Sequence, residues 1–302
     1  MQLMGPMKKW WFIISGIVII PGIISLIVWG LPLGIDFKGG TLLEISFNKS
    51  VTSQDIKQAL TDSNIKDLTI QKTGDNQVLI RTTPLDKEAE LKLKSTLNEK
   101  IGESREIRLE TVGPTVSKDL TTKAILAVGL AALAIILYIA FVFRKVPKPA
   151  NSWRFGICSV LALLHDLLFV IGAYSILGHF YGFEVDGMFI VALLTIMGFS
   201  VHDTIVVFDR IRENLKLHPS GNFEEIANRS VIQTLARSLN TSLTLVLVLL
   251  ALVFLGGASI KNFVVTLLIG VIIGTYSSIF NATPLLVVWQ NWIQKKQLAK
   301  NN

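Results

Sequence analysis

The stretch 198-GFSVHDTIVVFDRIREN-214 begins as an apolar helix and ends in a run of charges, and Asp203 lies inside its apolar part. An ionised carboxylate near the middle of a bilayer-spanning helix costs about 2.5–3.5 kcal/mol on insertion scales. Residues that carry such a cost face a bundle interior or an ion path, not lipid. The chain around Asp203 is therefore read as a membrane bundle, and its composition agrees. Of 302 residues, 51% are hydrophobic and 17% charged, where soluble proteins hold about 25% charged residues. The apolar residues are clumped around one polar insert.

Six stretches are long and apolar enough to cross a bilayer, which takes about 20 residues: Trp10–Gly30, Ala124–Phe143, Phe155–Leu177, Met188–Phe208, Ser238–Leu255 and Phe263–Trp289. The first follows Lys8 and Lys9 as a secretory signal would. It exceeds a signal h-region and has no small-x-small cleavage site, so it reads as a retained anchor. Lys8/Lys9, the "RKVPK" loop with Arg154, the Arg210–Arg229 loop and Lys295/Lys296/Lys300 fall on one side; the opposite short loops hold one lysine between them. By the positive-inside rule both termini are cytoplasmic and the long Leu31–Asp119 segment is outside. Trp10, Trp11, Trp153 and Trp289 sit at the expected interfaces.

The outside segment has 13 basic and 14 acidic residues, so the net charge of +7 belongs to the span flanks. Nucleic-acid binding, which needs a basic face on a folded domain, has no support. Cys158 is the only cysteine and lies in an apolar run; it forms no internal disulfide and fills space. The segment reads as strand "TLLEISF", helix "TSQDIKQALTDS", strands "LTIQKT" and "QVLIRTT" joined through "TGDNQ", helix "DKEAELKLKSTLNEKIG" and strand "REIRLETV". That order, βαββαβ, is the ferredoxin-like unit. The fold class expected is a polytopic α-helical membrane protein of six transmembrane helices with a small extracytoplasmic α+β ferredoxin-like domain. Its divisions are 1–30, tail and first helix; 31–119, outside domain; 120–291, five-helix membrane domain; and 292–302, cytoplasmic tail. The outside domain has no metal-ligand cluster, phosphate loop or nucleophile elbow, so contact is its job.

Asp166 lies 12 residues after Arg154, about 18 Å into its helix, and Asp203 15 residues from Met188, about 22 Å in. Arg237, 18 residues before Leu255, falls about 27 Å from the same side. Asp203 and Arg237 are thus expected at similar depth, where opposite charges relieve each other's desolvation. An interfacial arginine and a structural carboxylate are the plainer alternatives. Asp209, Arg210, Arg212 and Glu213 read as the solvated helix end with local pairs. His165 and His202 each precede an intramembrane aspartate. Neighbours on a helix point about 100° apart, which argues against a metal site and leaves a proton relay or helix–helix hydrogen bonds. "GVIIG" (Gly270–Gly274) with Ser277 and Ser278 makes a small-residue packing face, and Asn281 and Pro284 interrupt it as a hinge. "DFKGGT" is a tight turn into the first strand.

"GIDFKGGT", "VGPTVSKDL", "LLHDLL", "DTIVVFDRIREN" and "RSLNTSLTLVLV", in this order from Gly34 to Asn281, resemble the SecD/SecF family of protein-export membrane subunits, on its SecF side, within the resistance–nodulation–division superfamily. The resemblance implies a non-enzymatic subunit of the bacterial inner membrane that pairs with SecD. It also implies association with the SecYEG channel and a YajC-type small subunit, and action on unfolded preprotein using the proton or sodium motive force. No cofactor is implied beyond the transported ion. By motif position Asp203 corresponds to the family's ion-coupling carboxylate, Arg237 to its arginine partner and Asp166 to its "HD". The alternatives are a secondary exporter of a lipid or small molecule that uses the same carboxylate, of which six spans and one small outside domain make half a machine, and a passive insertion scaffold without ion coupling.

Overall fold

The computed structural model describes residues 3–5, 7–61, 67–72, 74, 76–147, 150–219 and 221–301. Six of its helices are long and apolar enough to cross a membrane. The chain divides into two compact units, one of residues 1–31, 127–183 and 188–302, the other of residues 32–126 and 184–187.

The smaller unit begins with a single helical turn, α2 (Ile35–Lys38), which follows α1 (Lys8–Val28) of the larger unit. The sequence suggested only a turn here. Gly39 and Gly40, with φ of 76° and 141°, then bend the chain into strand β1, the conformation that calls for glycine. Next come β1 (Gly40–Phe47), α3 (Ser53–Ala59), β2 (Thr69–Lys72), β3 (Gln77–Thr82), α4 (Lys87–Lys100) and β4 (Ser104–Val112). All pairings are antiparallel, in the order β2-β3-β1-β4. The helices start where the sequence marks them. Thr52 and Asp55 close a reciprocal capping box on α3, and Asp86 Oδ1 accepts from Ala89 N on α4. Residues 62–63, 73 and 75, which the sequence assigns to the end of α3 and to the hairpin connection, lie outside the described residues. Alternation along β1 and β3 turns Leu43, Ile45, Phe47, Val78 and Ile80 into one core with Ile56, Leu93 and Leu97 from the helices.

Residues 184–187, read from sequence as an ordinary short loop, add to this unit. Val185 N donates to Pro32 O at 2.7 Å and Gly34 N to Val185 O at 2.8 Å. Gly187 N donates to Asp36 Oδ2 at 2.7 Å, so the aspartate of "GIDFKGGT" anchors the returning chain. Arg81 Nε pairs with Glu184 Oε2 at 2.8 Å. Burial pulls the Arg81 guanidinium down and pushes the Glu184 carboxyl up, each opposed by the other's charge.

The larger unit is helical. It is built by α1, the greater part of α5 (Pro114–Val142), and α6 (Ser152–Tyr181), α7 (Gly187–Leu217), α8 (Phe223–Leu255), α9 (Ala258–Ser277) and α10 (Thr283–Asn301). One expectation is corrected. The Arg210–Arg229 segment is not a loop: α7 runs on to Leu217 and α8 starts at Phe223, capped by Asn222. The reason is a buried stripe at helical spacing, Phe223, Ile226, Ala227, Ser230, Val231 and Thr234, tied back to α7 by Asn214 Nδ2, 2.8 Å from Ser230 Oγ. The last span is interrupted where the sequence expected a hinge, by a π-helical turn, Ser278–Ala282, that contains Asn281. Pro284 lacks an N–H and its ring clashes with the carbonyl four residues back, so the ladder widens just ahead of it.

Small residues set the helix contacts. A Cβ on Gly172 would lie 2.7 Å from Gly22 Cα, so α1 and α6 touch backbone to backbone, and Ser25 Oγ meets Ser175 Oγ at 2.7 Å beside that crossing. Gly270 of "GVIIG" receives the Ile196 side chain of α7, and Gly274 lies against Ser200 Cβ and Cα. Phe143, Phe155 and Phe208 interlock with ring centroids 5.1–5.9 Å apart and pin α5, α6 and α7 at one end.

Candidate functional site

Two carboxylates are buried among the helices, and they are held very differently. Asp166 is 0% exposed, in the middle of α6. Its Oδ2 accepts from Ser200 Oγ of α7 and from Ser277 Oγ of α9, each at 2.6 Å. Gly274 permits this approach, since a Cβ there would meet Ser200 Cβ at 3.2 Å and Asp166 Oδ2 at 3.7 Å. Asp166 Oδ1 lies 2.9 Å from His165 Nδ1, and His165 Nε2 lies 2.9 Å from Asn281 Nδ2 in the π-helical turn. An amide nitrogen only donates, so Nε2 accepts and the ring proton sits on Nδ1, aimed at Asp166. The chain continues: Asn281 Oδ1 accepts from Ser15 Oγ of α1 at 2.7 Å. Tyr276 Oη, 3.4 Å from that hydroxyl, donates to Trp11 O at 2.9 Å. Asp166 thus fastens four helices and the turn by short bonds.

Asp203, 2% exposed on α7, has neighbours but no tight hold. Its Oδ2 is 3.5 Å from both Ser242 Oγ of α8 and Thr275 Oγ1 of α9, while those two hydroxyls are 2.6 Å apart and have closer acceptors: Ser242 can donate to Thr275, and Thr275 to Val271 O at 2.9 Å. His202 Nδ1 is also 3.5 Å away, from Oδ1, on a ring that is 61% exposed. All three distances exceed the 2.7–3.2 Å of a normal bond. Thr204, one residue on, reaches Ser278 Oγ at 2.8 Å.

Arg237 does not meet Asp203. Its side chain is exposed on α8, and among the described residues no carboxylate pairs with it. Equal depth in the membrane was the sequence argument, but depth is not azimuth. The face of α8 turned to Asp203 is set by Ser238 and Ser242, both buried, and at 100° per residue Arg237 points off it. The helix-end charges behave as their spacing suggests: Arg212 pairs with Asp209 at 2.5 Å and Arg210 with Glu213 at 2.6 Å. Arg210 also reaches Gln233 of α8 at 2.7 Å and Arg212 donates to Val142 O at 3.0 Å, so the group fastens α7 to its neighbours. Ser15, Ser200, Ser242 and Thr275 escaped the sequence reading. The signal was there: Ser200, Asp203 and Thr204 share one face at spacings of three and four.

The arrangement matches known proteins. Residues 92–292 fit the model of the protein export membrane protein SecD/SecF C-terminal region, and residues 24–51, which include the Gly39–Gly40 bend, fit the SecD/SecF GG motif. The chain belongs to the SecD/SecF family. It is 47% identical to a protein translocase subunit SecF of Thermobaculum terrenum, over 93% of this chain and 91% of that one. A SecF of Anaerolinea thermophila is 43% identical over 94% of both. Among solved structures, the crystal structure of SecDF, a translocon-associated membrane protein from Thermus thermophilus, superposes with a TM-score of 0.85 at 35% identity. It covers 96% of this chain, which spans only 39% of that longer one. The family and the six apolar helices make this a multi-pass membrane protein concerned with protein transport.

Proposed function

We propose that the chain is an accessory subunit of the Sec protein translocase. Working with a SecD partner beside the SecYEG channel, and with a YajC-type subunit, it couples the proton or sodium motive force to late preprotein translocation and release. It catalyses no covalent chemistry. The site in this reading is Asp203, and the observation that carries it is the looseness of its hold. A buried carboxylate flanked by two hydroxyls that have closer acceptors can gain or lose a cation without first breaking a short bond. One charge crossing 100 mV is worth about 2.3 kcal/mol, enough to bias a two-state bundle. Arg237, exposed on a membrane helix, is assigned to the same cycle through the partner's surface. Asp166 and His165 hold the bundle against which Asp203 works, and His202 stands at its open edge.

The same reading places both termini in the cytoplasm and the chain in the bacterial inner membrane. It divides the chain at 30/31, 119/120 and 291/292, with 31–119 on the outer side. We assign that outer domain to the ferredoxin-like class. The βαββαβ order and the β2-β3-β1-β4 sheet support this, as they would a contact domain that passes bundle motion to an emerging preprotein.

The test places Asp203→Asn in the intact partner complex in inverted vesicles with the channel. Completion of a half-translocated preprotein is followed with and without an imposed ion gradient. The variant should assemble normally and lose the gradient-dependent gain only. An unchanged gain sinks ion coupling through Asp203 and leaves a scaffold; ion-driven transport of a lipid in place of preprotein would mark an exporter.

A further inference from the structure

The end of α5 and the start of α6 leave a crevice of about 610 Å³ that the proposed cycle does not use. Its walls are apolar and open to the bilayer: Ile136 and Ala140 from α5, Ile157 and Leu161 from α6, each exposed on its helix. Its depth comes from small residues. A Cβ on Gly156 would touch only Ile139 Cγ2, at 3.9 Å, and Ala140 stands opposite. Ile136, Ala140 and Arg144 follow one another at intervals of four, so the trough runs about 12 Å along one row of α5 before it meets a cation.

The mouth is polar in one sense only. Residues 120–165 contain no Asp or Glu, yet Arg144, Lys145, Lys148 and Arg154 fall within them. Arg154 is turned away to Gln290. The Arg144 guanidinium lies 3.8 Å over the Phe141 ring and donates one N–H to Phe141 O at 2.8 Å, and among the described residues no acid reaches it. Trp153, 75% exposed, stands at the same mouth, where an amphipathic ring marks headgroup level. An apolar trough that ends in a cation with no acid in reach among the described residues, beside an interfacial tryptophan, complements one kind of molecule in a membrane.

We propose that this crevice holds one anionic phospholipid of the leaflet on the basic-loop side, its acyl chain between α5 and α6 and its phosphate on Arg144. The site is independent of the ion-coupling reading, since Asp203 and Arg237 take no part in it.

The test uses the full chain in mixed phosphatidylcholine–phosphatidylglycerol nanodiscs, with retained lipid counted by native mass spectrometry. Wild type should release with one phosphatidylglycerol in preference to phosphatidylcholine. Arg144→Gln, a surface change that leaves the melting temperature in place, should cut that retention about fivefold, the effect of one basic group near an anionic surface. Gly156→Leu should abolish it with every charge intact. Equal retention of the two lipids by wild type would overturn the site, as would full phosphatidylglycerol retention by Gly156→Leu. A third overturning result is displacement of the lipid when the membrane partner is added, with cross-linking of that partner to a cysteine introduced at Ile157, since a helix and not a lipid would then fill the crevice.

Discussion

Asp166→Asn exchanges one acceptor oxygen for a donor at the centre of a chain whose polarity is fixed. Turned toward His165, the new amide meets Nδ1–H, donor against donor. The ring must then move its proton to Nε2, which opposes Asn281 Nδ2 at 2.9 Å. Rotating the Asn281 amide relieves that clash only if the Ser15 hydroxyl, 2.7 Å away, stops donating and turns to accept. Turned the other way, the amide faces Ser200 and Ser277, whose hydroxyls must then rotate to accept from it, as Ser277 can by donating to Gly274 O at 3.2 Å. Either arrangement exchanges short bonds to a carboxylate for neutral ones, which costs about 2 kcal/mol. Asp203→Asn, whose contacts are all at 3.5 Å, should cost under about 1 kcal/mol.

The same logic gives a rescue. Adding Asn281→Asp to Asp166→Asn places an amide on one side of His165 and a carboxylate on the other. The ring carries its proton on Nε2, the new carboxylate accepts from it and from Ser15, and every donor again has an acceptor. The double variant should return to within about 1 kcal/mol of wild type, a favourable coupling of about 2 kcal/mol. Unfolding in detergent micelles can be read by maleimide labelling of Cys158, the sole thiol and fully buried. If Asp166→Asn costs no more than Asp203→Asn, or if the two changes simply add, the directed chain does not exist.

Other outcomes follow from the packing and the charges. Gly172→Val must part α1 and α6 by about 1 Å, breaking the Ser25–Ser175 bond, and should cost about 2 kcal/mol in melting experiments. Arg237→Gln should leave the stability of the lone chain within about 0.5 kcal/mol, because its side chain has no acidic partner there, yet abolish gradient-dependent export in the assembled complex. Burial holds the Glu184 carboxyl above the ordinary glutamate value, so the folded state favours its neutral form. The stability it contributes is present below the unfolded pKa and lost as pH rises through the raised one. Wild type should therefore lose ground to Glu184→Gln as pH rises from the ordinary glutamate value through the raised one, followed by hydrogen exchange of β3; a gain instead would mean that attraction to Arg81 outweighs burial.

What was legible in the sequence was whatever periodicity or a cap encodes locally. The six apolar runs, the strand alternation of "QVLIRTT", the Thr52 and Asp86 helix starts and the small-residue face of "GVIIG" all reappear at the expected places. What failed depended on direction or on long-range contact. Asp203 and Arg237 were matched by depth, a one-dimensional measure, when the missing coordinate was rotation about α8. The Arg210–Arg229 helices were hidden because their charge density looks like a loop until Ile226, Ser230 and Val231 are seen to be one stripe. Residues 184–187 carry no local signal of the pairing they make with Pro32 and Gly34, 150 residues earlier. Asn281 was noticed only as an interruption; its bond to His165 belongs to a chain that sequence spacing does not contain.

The contrast between the two carboxylates also separates their roles. A group that takes up and releases an ion on each cycle has to exchange partners, and the cost of leaving its old ones adds to the barrier. Three short bonds around Asp166 make each departure expensive and tie it to α7 and α9 directly and, through His165 and Asn281, to Ser15 of α1. Around Asp203 the nearest hydroxyls already have closer acceptors, Thr275 Oγ1 at 2.6 Å and Val271 O at 2.9 Å, so its occupancy can change while they stay put. The tightly held residue is therefore suited to be the fulcrum and the loosely held one the switch. On this view Asp166→Asn should blunt export by loosening the bundle, and the Asn281→Asp change should restore it. No change at position 281 should restore export to Asp203→Asn. Preprotein completion in the four variants under an imposed gradient separates the two cases; rescue of Asp203→Asn by the 281 change would mean that the two carboxylates work as one site.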